Sequence, residues 1–154
     1  MNTPFNFRLT KFPNEAEILR HEVREFLSDA LKDVPKETRA ETWYGADENF
    51  SRKVGQKGWI GLNWPKEHGG AGRSSMERYV ILEEMLTAGA PVGAHWISDR
   101  QSGPLIIRYG TEKHQKELLP GILKGESYFC IGMSEPDSGS DLAALRTKAE
   151  KKGD

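Results

Sequence analysis

The chain reads as an α+β protein, with a mainly α-helical amino-terminal domain over residues 1–126 followed by the first strands of a β domain over 127–154. Three observations predict this. Apolar residues recur at helical spacing in blocks between Asn14 and Leu119, each opened by Asn, Asp, Ser or Thr and closed by Gly or Pro. After Gly125 the period changes, and the aromatic and β-branched run from Tyr128 to Met133 reads as a strand. Behind it Pro136, Asp137 and Gly139 are turn residues, chosen for fixed φ, local capping and backbone freedom.

The first helix is expected from Asn14 to Asp33, with Asn14 and Glu17 spaced as a capping box, Leu19, Val23, Phe26, Leu27, Ala30 and Leu31 on one stripe, and Pro35 as its stop. A second runs from Asp47 to Lys57, is closed by Gly58, and delivers Trp59, Ile60, Leu62 and Trp64 into the interior. Gly69-Gly70-Ala71-Gly72 is a loop; with no strand leading in and no Gly-Lys-Ser following, it reads as a structural turn, not a phosphate cradle. Ser74 and Glu77 form a second capping pair, opening a helix with Met76, Tyr79, Val80, Leu82, Met85 and Leu86 at helical spacing and Gly89 at its end. A helix from Val92 to Arg108 should bend at Gly103-Pro104, where the ring clashes one turn back. Thr111 caps a last helix to Leu119, and Pro120 punctuates it.

Composition narrows the function classes. At 154 residues, with 36% hydrophobic and 29% charged residues, the chain is globular and long enough for one core, and its formal net charge of -1 gives no basic footprint for nucleic acid. No apolar run has the length of a membrane span, and the start lacks a basic region followed by an apolar stretch, so the expectation is a soluble cytoplasmic protein without membrane insertion. The single cysteine, Cys130, excludes an internal disulfide and is expected as a small buried hydrophobe in the strand. His21, His68 and His114 sit among polar residues, and no metal-ligand spacing is present.

The densest chemistry lies in Gly132-Met133-Ser134-Glu135-Pro136-Asp137-Ser138-Gly139-Ser140-Asp141-Leu142-Ala143-Ala144. Gly139 lets a bulky ligand approach the backbone, and the hydroxyls of Ser138 and Ser140 are suited to phosphate oxygens. As a whole the string resembles the signature of the acyl-CoA dehydrogenase family: small residue, aliphatic, Ser or Thr, Glu, two variable, small, Gly, Ser or Thr, Asp, two variable, small. The resemblance continues upstream through Gly58-Trp59-Ile60-Gly61-Leu62, Pro65 to Gly72, Tyr109-Gly110-Thr111-Glu112, Leu118-Leu119-Pro120 and Gly125-Glu126, in the order of that family's helical domain and first β strands.

The resemblance implies α,β-dehydrogenation of an acyl-CoA thioester to its trans-2-enoyl product, as in β-oxidation of fatty acids, with FAD as hydride acceptor. The backbone of Ile131 and Met133, and the backbone and hydroxyl of Ser134, would hydrogen-bond the isoalloxazine edge, where donors stabilise reduced flavin. Ser140 would face the FAD pyrophosphate and the nearby CoA moiety. Glu135 and Asp141, which would repel a pyrophosphate, are expected to hold the turn. The kinked helix with His95, Trp96, Asp99 and Arg100 corresponds to the acyl-pocket wall, making Trp96 and Arg100 candidate substrate contacts; the alternative is that Trp96 and Ile97 are core and Asp99 and Arg100 a solvated ion pair.

Family members continue through a complete β domain and a carboxy-terminal bundle that supplies the catalytic glutamate, so no catalytic residue is expected in this chain. The chain is then a fragment, a truncated gene product or one part of a split enzyme, with strands lacking partners. Its implied partners are the acyl-CoA, an electron-transfer flavoprotein or similar acceptor, and further subunits in a homo- or hetero-oligomer. Two other functions stay open: a non-enzymatic assembly module for a full-length flavoprotein subunit, and a flavin-dependent acyl-CoA or nitroalkane oxidase sharing the same motif.

Overall fold

The computed structural model describes residues 11–153. They form α1 (Asn14–Ala30), α2 (Lys36–Ala40), α3 (Glu48–Gln56), α4 (Ser75–Thr87), α5 (Gly93–Ile97), a π turn (Ser98–Ser102), α6 (Gly103–Tyr109) and α7 (Glu112–Leu123), with short 3-10 turns at Lys66–His68 and Leu142–Ala144.

Helix α1 buries Leu19, Val23, Leu27 and Ala30 of the expected stripe and Ala16 besides, while Phe26 is half-buried and the helix ends at Ala30, short of the expected Asp33. The expected Asn14–Glu17 capping box does not form. Pro13 occupies the N-cap position, so Asn14 is already inside the helix, and Glu17 accepts from Arg20 Nε at 3.1 Å instead. Asp47 caps α3 by accepting from Phe50 N, and Gly58 follows at φ 68, a left-handed position that favours glycine. The Trp59–Trp64 segment then sinks into the core, where Trp59, Ile60, Leu62 and Trp64 are all buried against α1 and α3.

The capping box of α4 is present, with Glu77 N donating to Ser74 Oγ at 3.2 Å and Ser74 N to Glu77 Oε2 at 2.8 Å. Val80, Ile81 and Met85 face inward, but Met76 and Tyr79 lie outward. The inward face also carries Glu84. Its carboxylate takes Arg20 at 2.5 Å and Arg24 at 2.7 Å, joining α1 to α4 through charge where the apolar stripe alone predicts only packing. These cations hold the Glu84 carboxyl below the usual carboxylate range: Arg24 has the largest effect, burial opposes it, and Arg20 adds to the lowering. Removing one member of such a part-buried group would strand the others, so it fixes how the two helices align.

Where a bend is expected at Gly103-Pro104, the helix after Val92 instead widens one turn ahead of Pro104, with helical backbone on either side. Gly103 N bonds Ser98 O, five residues back, which widens the helix into a π turn. Pro104 then enters the first turn of α6, where its missing N–H costs nothing. A Cβ at Gly103 would strike the Trp64 ring, so glycine is what admits the indole. Trp64 Nε1 donates to Asp99 O at 3.3 Å, a carbonyl whose five-residue partner is the donorless Pro104.

Two expectations at the carboxy-terminal side are corrected. Helix α7 is capped by Thr111 as predicted but runs through Pro120 to Leu123 before Gly125 turns the chain at φ 68. Beyond it, no strand forms from Tyr128 to Met133. Among the described residues the only β pairings are the isolated bridges Ala46 with Val92 and Glu135 with Ser138, so the start of a β domain is not seen. A strand exists only with a partner, and this segment has none here. For the same reason Cys130, expected to be buried, is exposed.

Candidate functional site

The π turn joins the two groups of candidate residues. Ser98, fully buried, donates from Oγ to Ser127 O and accepts from Phe129 N, both at 3.0 Å, so a side chain of the helical body takes two backbone groups of the outgoing segment. Phe129 leads directly into the motif. Trp96 and Arg100 flank Ser98 on the same turn. The sequence reading missed Ser98; the signal was Gly103-Pro104 five residues on, which marks a widened turn with loosened polar groups.

In the motif, Ile131 is 41% and Met133 59% exposed, and Ser134 and Ser140 are exposed as well. No hydrogen bond within the described residues occupies the backbone of Ile131, Met133 or Ser134, or the hydroxyls of Ser134 and Ser140. Among the described residues nothing lies within 4 Å of a Cβ built on Gly132 or Gly139, so no close packing there calls for glycine. These hydrogen-bonding groups are thus left accessible along a segment that also lacks a strand partner among the described residues.

Ser138 behaves otherwise. It is buried, and its Oγ donates to Asp141 O at 2.6 Å, which corrects the expectation of two open hydroxyls. Glu135 and Ser138 exchange both backbone hydrogen bonds across Pro136-Asp137, at 2.9 and 3.0 Å, making a tight reversal. The Glu135 carboxylate accepts from Arg146 N and Thr147 N, each at 2.8 Å, and from the Thr147 hydroxyl. These bonds, that from the Thr147 hydroxyl above all, hold its carboxyl below the usual range. Glu135 thus folds the tail back over the turn.

Around Trp96 the expected ion pair is absent. Asp99 accepts Gly61 N at 2.8 Å on one oxygen and Arg78 at 3.2 Å on the other, whereas the Arg100 guanidinium lies 4.6 Å from the centre of the Trp96 ring. Trp96 itself packs on Trp43 with ring centres 5.7 Å apart. Below them is a cavity of about 30 Å³ bordered by His95, Asp99 and Arg100, room for a single water. His95 is buried and shares a 2.8 Å hydrogen bond from Nδ1 with Ser51 Oγ, itself fully buried. Burial pushes the His95 pKa down to about 4, with Asp99 opposing, so it is a neutral, satisfied core histidine. Among the described residues no cluster of His, Cys, Asp and Glu could hold a metal ion, and no helix is long and apolar enough to cross a membrane.

Comparison with known proteins meets this geometry. The family model for the acyl-CoA dehydrogenase amino-terminal domain matches residues 13–126. Acyl-CoA dehydrogenase FadE26 of Mycobacterium tuberculosis is 36% identical over 152 residues, which cover 96% of this chain and 37% of that protein. Among solved structures, the steroid ACAD Tcur3481-Tcur3483 superposes with a TM-score of 0.81 at 38% identity, over 94% of this chain and 38% of its own. The ChsE4-ChsE5 complex from Mycobacterium tuberculosis does so at 0.81 and 35% identity, over 96% and 37%. The chain therefore spans a little over a third of the length of the curated relatives it matches. A helical domain of this form, matched over most of its length, makes the chain a member of the acyl-CoA dehydrogenase family, whose amino-terminal region it represents.

Proposed function

We propose that the chain serves as the amino-terminal part of an FAD-dependent acyl-CoA dehydrogenase that converts an acyl-CoA thioester to its trans-2-enoyl product. The observation that carries this reading is the motif after Ser127, whose hydrogen-bonding groups at Ile131, Met133, Ser134 and Ser140 have no partner among the described residues while the turn behind them is internally tied. When bound, FAD supplies the hydride acceptor. The residues of this chain bind and orient it: the backbone of Ile131 and Met133 with the backbone and hydroxyl of Ser134 at the isoalloxazine edge, and Ser140 at the pyrophosphate and CoA side. Glu135 keeps both ends of that loop in register. Trp96 and Arg100 border the acyl group. The base for the α proton would lie outside this chain, and an electron-transfer flavoprotein or similar acceptor would receive the electrons. A relative solved as a complex supports a hetero-oligomer, and one described as a steroid ACAD makes a steroid-derived acyl-CoA the first substrate to assay.

The test is FAD binding, read by flavin absorbance and fluorescence on the chain, with intact mass on the same sample, and on any assembly that retains flavin. Ser134→Ala removes one hydrogen bond and should weaken FAD by about 1 kcal/mol, roughly fivefold. Flavin content unchanged in Ser134→Ala and Ser140→Ala combined would refute the site.

A further inference from the structure

Ser98 Oγ bonds the outgoing chain as a neighbouring strand would. It donates to Ser127 O and accepts from Phe129 N, both at 3.0 Å, so one hydroxyl meets the carbonyl of one residue and the amide of the residue two further on, as a parallel partner does in a β ladder. The chain is extended to match. Ser127 and Phe129 are half-buried, whereas Glu126, Tyr128 and Cys130 around them are exposed, a period of two. The hydroxyl also stands on a fixed base: Asp99, on the same turn, accepts Gly61 N and Arg78 through its carboxylate and Trp64 Nε1 through its carbonyl, tying the π turn to α4 and to the Trp59–Trp64 segment. The entry from α7 is set by Ser127 N, which donates to Gly121 O at 3.1 Å.

An extended chain turns the backbone N–H and C=O of every second residue to the same edge. The edge that Ser98 holds at Ser127 and Phe129 is therefore the one on which Ile131 and Met133 present theirs. We infer that Ser98 is a positioning residue for the flavin site: its hydroxyl fixes which edge of the segment faces the cofactor, so that Ile131 and Met133 continue the row of backbone groups that Ser98 begins. This rests on the reading of Ile131, Met133 and Ser134 as the flavin edge. The Phe129 side chain, packed against the core, sets the depth of the segment, but between Phe129 and Glu135 no other hydrogen bond among the described residues aligns it. A shift by one residue would bring Cys130 and Gly132 to that edge instead.

The experiment measures FAD binding by the full chain, and by any assembly that retains flavin, in Ser98→Ala, Ser98→Thr, Ser98→Cys and Ser51→Ala. Ser51 is the matched control, a second fully buried serine that bonds His95 and not the segment. Ser98→Ala is expected to weaken FAD at least about tenfold, because two backbone groups lose their partner, and to move the visible band of the bound flavin toward that of free FAD. Ser98→Thr, which keeps the hydroxyl, should recover most of the affinity, and Ser51→Ala should match the wild type. Ser98→Cys, a weak donor and acceptor, should fall between and carries the test if the alanine variant does not fold. Nitrogen-15 spectra should show the Phe129, Ile131 and Met133 amides shifted in Ser98→Ala and not in Ser51→Ala. Wild-type affinity with an unmoved band, an equal loss in Ser51→Ala, or a loss that neither Ser98→Thr nor Ser98→Cys reduces overturns the inference and leaves the flavin site in place. If the wild type binds no flavin in either form, the flavin reading falls and the amides decide: shifts that reach Ile131 and Met133 uphold Ser98 as the group that aligns the segment, and shifts that stop at Phe129 overturn it.

Discussion

Phe50 in the helical body and Met133 in the segment after Gly125 are both large apolar side chains, yet Phe50 is 2% exposed and Met133 59%. The body closes its own core: α1, α3, α4 and α7 supply residues that cover one another, and the charged seam at Glu84 fixes how α1 meets α4. The segment after Gly125 is tied at two points, by Ser98 at its start and by Glu135 at its turn, and between them presents polar backbone and apolar side chains outward. Buried packing thus lies in the first region, and exposed, unpaired groups in the second.

Stability measurements can break this contrast. Phe50→Ala should cost about 3 to 5 kcal/mol in urea unfolding, since it opens a cavity among side chains that cannot collapse. Met133→Ala should change the same transition by less than about 0.5 kcal/mol; comparable losses would show that the two regions form one cooperative core. Next in size is a pH effect confined to the body. The folded His95 binds its proton only near pH 4, whereas an unfolded histidine does so near 6.5. As pH falls, the unfolded chain therefore protonates first, so this contribution, about 3 kcal/mol, is fully present above pH 6.5 and lost on the way down to pH 4. His95→Gln should flatten the profile in that window, and a slope persisting in the variant would assign it to other groups. The smallest expected effect sharpens the comparison from the other side. Glu135→Gln should leave the unfolding midpoint in place but speed hydrogen exchange at the Arg146 and Thr147 amides several-fold, because their acceptor loses its charge.

Local rules carried the sequence reading a long way. Most of the α1 stripe, the Ser74 and Thr111 caps, and the burial of Trp59 to Trp64 follow from spacing and capping chemistry acting within a few residues. The motif from Gly132 to Ala144 likewise announced a turn, with Ser140 open but Ser138 bonded inward, and Glu135 holds that turn as its chemistry suggests. What only the tertiary structure decided is where distant segments compete for the same groups. Asp99 turned to Gly61 and Arg78 instead of Arg100, and Glu84 of α4 took Arg20 and Arg24 of α1. The strand expected at Tyr128 to Met133 failed for the related reason that β structure is a property of a pair of segments, so its propensity stays unexpressed where the partner is missing. Periodicity and caps are local energies that a sequence displays; partner choice is a global minimum over all contacts, and it appears only once the chain is folded.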